Sequence, residues 1–235
     1  MKATNKNIKL SQRLQKIKAL ITKPYTHIWD CCCDHGLLGL SLLDERQAKT
    51  VHFVDIVPDL LNKIEQTLKQ FWQGHREDWQ VHCMDAGILP IAQYTQNKAE
   101  DKHLIIIAGI GGDLMMQLLD SLHRITTRYQ VEFILCPVHH NYKVREYLIA
   151  HRFGLINESL VFENNRGYEV LHVASFSMQP LVETGSLMWD FSNSLHLDYL
   201  YKTIAHYQRL ANNPDNKVDY VIKQYQQLLP DAASR

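Results

Sequence analysis

What the 235-residue sequence lacks already narrows its class. No apolar run approaches the roughly 20 residues of a membrane span. The longest, Leu104-Ile105-Ile106-Ile107-Ala108-Gly109-Ile110, has seven. No apolar core follows the lysine-rich N-terminus, so no secretory signal is expected. Five cysteines are an odd number, three are adjacent (Cys31, Cys32, Cys33), and no Cys-x-x-Cys occurs. That excludes a disulfide framework and points to a reducing cytoplasm. No metal is expected, because successive side chains on extended backbone point to opposite faces and three cysteines in a row cannot share one ion. With 10 glycines and 7 prolines, collagen-like and low-complexity classes are excluded, and no internal repeat is present. Gly-x-Ser-x-Gly is absent, so a hydrolase elbow has no support.

Net charge is also lacking, with 25 basic against 25 acidic residues, which argues against a uniformly basic nucleic-acid binder. The distribution is uneven. Residues 1–29 hold Lys2, Lys6, Lys9, Arg13, Lys16, Lys18 and Lys23 and no acid, leaving −7 on the other 206 residues. A basic arm precedes an acidic body.

Periodicity organises the rest. Ile8, Leu10, Leu14, Ile17, Leu20 and Ile21 recur at helical spacing and predict a helix over 8–22. Strand-like runs then alternate with helix-like ones. Strands are expected at 27–31, 50–55, 79–83, 103–108 and 131–136, and helices at 36–45, 58–72, 112–123 and 141–150. Two further strands, 153–162 and 168–176, follow without an intervening helix and are joined by Glu163-Asn164-Asn165-Arg166-Gly167. The expected fold is α/β: a doubly wound, mostly parallel seven-stranded sheet whose last pair is an antiparallel hairpin. Residues 179–185 read as a linker, and 197–211 with 218–228 as a C-terminal helical hairpin. The domain division drawn from this pattern is 1–178 and 179–235.

Ligands of such sheets sit beyond the carboxyl ends of the strands. Those ends carry Asp30 to Gly36, Asp55, Asp85, Gly109-Ile110-Gly111-Gly112 and Cys136-Pro137. Asp55, 21 residues after Asp34, stands where an acid accepts from a ribose diol, or where one caps the helix opened by Pro58. Asp85 can accept from an adenine amino group or cap a turn. The first loop is acidic and lacks Gly-x-Gly-x-x-Gly, which disfavours a pyrophosphate. An acidic loop suits a cationic cofactor. S-adenosyl-L-methionine, with a sulfonium and an ammonium, has that character. The glycine-rich string after the fourth strand leaves room for a flat substrate, or serves a tight turn.

These residues resemble the bacterial tRNA (adenine(22)-N1)-methyltransferases. The matching segments are Leu10-Ser11-Gln12-Arg13-Leu14, Asp34-His35, Ile107-Ala108-Gly109-Ile110-Gly111-Gly112, Leu135-Cys136-Pro137 with Arg145-Glu146-Tyr147-Leu148, and Gly167-Tyr168-Glu169-Val170-Leu171. The order and spacing hold over about 8–175, and the C-terminal helices resemble the family's appendage in kind only. The resemblance implies a Rossmann-like class I methyltransferase using S-adenosyl-L-methionine. It would place Asp30, Asp34 and His35 at the methionine end, Asp55 with Ile56 at the ribose, and Asp85 with Ala86 at the adenine. Ala108 and Gly109 would form the floor near the methyl group, and Lys9 and Arg13 would hold RNA. The chain departs from the pattern at Cys32 (Gly in the family), Cys33 (Ser or Thr), Asp55 (often Glu) and Val138 (Asn), and has Met84-Asp85-Ala86-Gly87 where the family has Gly-Asp-Gly.

The expected reaction is methylation of N1 of an adenine in tRNA, a cytoplasmic activity, with Gly109 at the catalytic position and Asp113 a candidate acceptor for the adenine amino group. The alternatives are a methyltransferase for another RNA or a small molecule, or a non-catalytic RNA-binding module with a decayed cofactor site. Neither a membrane nor any particular oligomeric state is implied.

Overall fold

The computed structural model describes residues 8–72, 77–126, 128–213 and 217–230. Lys2 and Lys6 of the basic arm, and residues 214–216 between the C-terminal helices, lie outside the described residues. Strands β1 (Tyr25–Cys31), β2 (Ala48–Asp55), β3 (Trp79–Cys83), β4 (Lys102–Ala108), β5 (Gln130–Cys136), β6 (Gly154–Glu163) and β7 (Arg166–Ala174) form one sheet in the order β3-β2-β1-β4-β5-β7-β6. β1 to β5 are parallel, and β7 lies antiparallel between β5 and β6. The doubly wound, mostly parallel sheet expected from the sequence is therefore present. Its strand order reverses between β1 and β4, which opens a crevice beyond their carboxyl ends.

β4 shows why the sheet is central. Leu104 and Ile106 pack into one core and Ile105 and Ile107 into the other, all fully buried. Each such side chain contributes roughly 1.5–3 kcal/mol. Helices α1 (Gln12–Ala19), α2 (Leu37–Asp44), α3 (Pro58–Phe71), α4 (Ile91–Tyr94), α5 (Gly112–Thr126) and α6 (Asn141–Ala150) flank the strands. α1 is shorter than its periodicity suggests. Ser11 takes an extended conformation and its hydroxyl accepts the Leu14 amide, so the helix begins at Gln12, while Leu20 and Ile21 are buried just past its end. The β6–β7 connection is also tighter than expected. Asn164 (φ 50°) and Asn165 (φ 61°) both adopt left-handed backbone, the conformation of a two-residue hairpin turn, and the strands run up to them.

Residues 179–185, expected as a linker, are packed against the sheet. Leu181 and Thr184 are buried, and Leu155 bridges to Gln179. Arg145 of α6 explains the attachment. Its fully buried guanidinium meets Glu158 at 2.7 Å and Glu169 at 2.8 Å, and donates to the Val182 carbonyl at 3.0 Å. Glu158 accepts the amides of Ser186 and Leu187. Tyr199 of α7 (Ser194–Ala211) donates to Glu169 at 2.9 Å. α7 and α8 (Asp219–Gln226) share a small core of Leu200, Ile204, Val221 and Tyr225, into which Tyr142 of α6 inserts. Among the described residues no helix is long and apolar enough to cross a membrane.

A chain of histidines crosses β1 to β4. His27 Nδ1 lies 3.0 Å from His52 Nε2, and His52 Nδ1 lies 2.9 Å from His82 Nε2. Trp29 donates to His103 Nδ1 at 3.3 Å, and the Tyr94 ring stands edge-on 4.5 Å from His52. Among the described residues no three metal-ligating side chains converge. Burial lowers the pKa of all four histidines, that of His103 to about 4. The unfolded chain binds these protons as pH falls through about 6.5 while the folded chain does not, so stability is lost below that pH. Asp30, raised to about 7 by burial, has the opposite slope but is one group against four. Urea unfolding is expected to show a loss of about 2 kcal/mol or more between pH 6.5 and 4.5; a flat profile would contradict this reading of the histidine chain.

Candidate active site at the carboxyl rim of the sheet

The loop after β1 is bent by residues other than glycine. Cys32 (φ 56°) and Asp34 (φ 50°) both hold left-handed backbone. Asp55 at the end of β2 fixes the bend: one carboxylate oxygen accepts the Asp34 amide at 3.1 Å and the other the Val57 amide at 3.1 Å. It does not cap α3, whose N-cap is Val57 without a side-chain cap; the carboxylate braces the loop before the helix and stays at the rim. Asp30 is buried and accepts the Gly39 amide at 2.9 Å. Burial, with Asp55 nearby, pushes its pKa up to about 7. Burial and the carboxylates of Asp55 and Asp30 raise the Cys32 thiol to about 11, so it stays protonated at neutral pH. Asp85 accepts the Gly87 amide at 2.7 Å and caps a single 3-10 turn at Ala86–Ile88.

Two hollows adjoin across Cys32, which lines both. The first, about 220 Å³, brings together Asp30, Asp34, His35, Ala108, Gly109 and Arg13. The second, about 100 Å³, brings together Asp55, Ile56, Asp85 and Ala86 with Leu114 and Leu118 of α5. The cofactor candidates chosen from the sequence therefore divide into two neighbouring sets. Leu114 and Leu118 were missed; their four-residue spacing on the helix after the glycine string is the signal that could have found them.

Two glycines of the string after β4 serve different ends. Gly109 (φ 82°) needs left-handed backbone, and a Cβ there would meet nothing closer than Arg13 at 3.9 Å, so it borders open space. Gly111 lies under the His139 ring, where a Cβ would come within 2.6 Å. Asp113 lines neither hollow. Its carboxylate is exposed and paired with His140 Nδ1 at 3.0 Å. Lys9 is exposed ahead of α1 and also lines neither. Arg13 is turned inward, into the wall of the first hollow and over the Tyr168 ring at 4.9 Å. A third hollow of about 400 Å³ lies between the sheet and α7; Val138, His139, His140, Arg166, Tyr168 and Lys202 are among its walls.

A family model described as a methyltransferase domain matches residues 10–171. The chain belongs to the methyltransferase-domain family. No curated protein sequence matches this methyltransferase. Its fold is similar to that of M. capricolum TrmK, solved with S-adenosyl-homocysteine, at 20% identity and TM-score 0.68, with 93% of each chain covered. It is likewise similar to the tRNA m1A22 methyltransferase TrmK of B. subtilis, at 22% identity and TM-score 0.68, covering 94% of this chain and 95% of that one. Sp1610 of Streptococcus pneumoniae, solved with S-adenosyl-L-methionine, gives 19% identity and TM-score 0.70 over 93% and 97%. At such identities the likeness is one of fold, and its extent takes it into the C-terminal helices.

Cys32 is where strain in this methyltransferase is easiest to measure. A β-branched residue tolerates left-handed backbone worst and glycine best. By chemical denaturation Cys32→Val is expected to be less stable than Cys32→Gly by roughly 1–2 kcal/mol. Equal stability of the two variants would show that the loop relaxes freely.

Proposed function

We propose that this methyltransferase uses S-adenosyl-L-methionine to methylate N1 of an adenine in tRNA, in the cytoplasm. The observation that carries the reading is the pair of adjoining hollows, with Asp30 and Asp34 in one, Asp55 and Asp85 in the other, and Cys32 between them. The residues suit the cofactor. Carboxylates crowd the end where an ammonium and a sulfonium would lie, apolar Ile56, Leu114 and Leu118 suit a flat purine, and Gly109 leaves the space between sheet and substrate open. Those carboxylates would disfavour a pyrophosphate in the same place.

When bound, S-adenosyl-L-methionine supplies a methyl group on a cationic sulfur that departs as a neutral thioether. Adenine N1 already carries a lone pair, so this chain need not remove a proton before attack. Its residues act by positioning and by excluding water. Asp30 would hold the ammonium, Asp55 the ribose hydroxyls and Asp85 the adenine amino group. Gly109 and Ala108 form the floor against which the target base lies. Positive charge passes to that base, and Asp30 and Asp34 favour its arrival. The target base leaves its stack to reach this depth. Asp113, exposed and paired with His140, is the candidate acceptor for its amino group.

Substrate class rests on the tRNA methyltransferase named among the similar folds and on the third hollow. Arg166 and Lys202 suit phosphates there, and Tyr168, His139 and His140 offer ring faces to unstacked bases. Lys9, exposed in the basic N-terminal segment, adds charge for phosphate contacts, which are salt-dependent.

The test is transfer of tritiated methyl from S-adenosyl-L-methionine to total RNA, followed by size separation and nucleoside analysis. Label is expected in 1-methyladenosine of the tRNA fraction. Label in another nucleoside, in another RNA or only in small molecules would overturn the substrate assignment, and absence of any label would overturn the activity.

A further inference from the structure

Arg13 is a cation without an anion. Its Nε is buried and has no hydrogen-bond partner, and among the described residues no carboxylate pairs with its guanidinium. The acid beside it, Glu163, accepts the backbone amide of Arg13 at 3.5 Å instead. The guanidinium lies over Tyr168, 4.9 Å from the ring centroid, and faces the space beside Gly109. An unpartnered buried donor on a charged group is costly, and such groups are normally paired in the working molecule.

The charges around it decide which anion belongs there. Asp30 and Asp34 share the first hollow with Arg13, and Arg13 is the one permanent cation among its walls. A cofactor with an ammonium and a sulfonium satisfies the carboxylates, but its own α-carboxylate would be repelled everywhere in this hollow except at Arg13. An RNA phosphate would have to enter beside the same two carboxylates, against their field, whereas the third hollow offers Arg166 and Lys202, and the carboxylate in its wall, Glu169, is already engaged by Arg145 and Tyr199. We infer that Arg13 is a cofactor-binding residue that receives the α-carboxylate of S-adenosyl-L-methionine, so that α1 closes the methionine end of the site. This assignment rests on the cofactor reading above and replaces the RNA-holding role that the sequence suggested for Arg13. The planar guanidinium takes a carboxylate through two parallel hydrogen bonds while Tyr168 supports its face. With Asp30 at the ammonium and Arg13 at the carboxylate, the two ends of the amino acid are told apart by charge, which fixes the direction in which the sulfonium points.

The test is calorimetric titration of the full chain with S-adenosyl-L-methionine and with its decarboxylated analogue, which keeps the sulfonium and the amine. The wild type is expected to bind the complete cofactor about tenfold or more tightly than the analogue, the scale of one charge-assisted pair. Arg13→Gln is expected to lose about that factor for the complete cofactor and to bind the analogue within about twofold of wild type. Arg13→Lys, which keeps charge but not the fork, is expected between the two. A wild type that binds both ligands equally well overturns the assignment without any variant, and so does an Arg13→Gln variant that keeps wild-type affinity or loses both ligands alike. A wild type that binds neither ligand overturns the cofactor reading itself, and is a different result from binding without discrimination.

Discussion

The carboxylate of Asp55 accepts the amide of Asp34, and that bond ties the end of β2 to the bent loop after β1. It acts with the Cys33 amide, which donates to the Val54 carbonyl at 3.2 Å, to hold the left-handed backbone at Cys32 and Asp34 against relaxation. The bend keeps the two hollows apart yet adjoining, because Cys32 forms the ridge between them. It also leaves Asp30 beneath the loop, buried, with its pKa raised to about 7 by desolvation. A cationic ligand spanning both hollows would restore the charge of Asp30 and meet the free lone pairs of Asp55.

Buried charge is treated in two ways in this molecule. Away from the rim it is fully satisfied. Arg145 is surrounded by Glu158, Glu169 and the Val182 carbonyl, and that cluster fastens α6, the hairpin strands, the irregular stretch after β7 and, through Tyr199, the C-terminal helices. Glu132 is likewise shared by Lys23, Tyr25 and His172. At the rim charge is left unmet: Asp30 is desolvated and Arg13 lacks an anion. Unsatisfied groups of opposite sign in the wall of one hollow are what a zwitterionic ligand with an additional positive centre requires.

Much of this was legible in the sequence because local patterns carried it. The unbroken apolar run at 104–107 identified a strand covered on both faces, and two strands without a helix between them identified the antiparallel hairpin. Asp30, Asp34, Asp55 and Asp85 stood out because each falls at a strand end, and strand ends can be read from hydrophobic runs. What escaped depends on contacts between distant residues. The inward turn of Arg13 is set by α1 packing against β6 and β7, and the engagement of Asp113 by His140 arises where the first turn of α5 meets the start of α6. Residues 179–185 look like a linker since their anchors, Arg145 and Glu158, lie about 40 and 30 residues away in sequence. The histidine chain was invisible for the same reason, since its members sit on four separate strands and become neighbours through strand order alone.

The central claim is that the rim carboxylates hold a cationic, adenosine-bearing ligand. It is tested most directly by calorimetric titration of S-adenosyl-L-methionine into the wild type and Asp55→Ala, with thermal melts to confirm that both are folded. Saturable binding by the wild type, weakened about tenfold or more in the variant, is the predicted result. Equal affinity in two folded proteins would contradict the account.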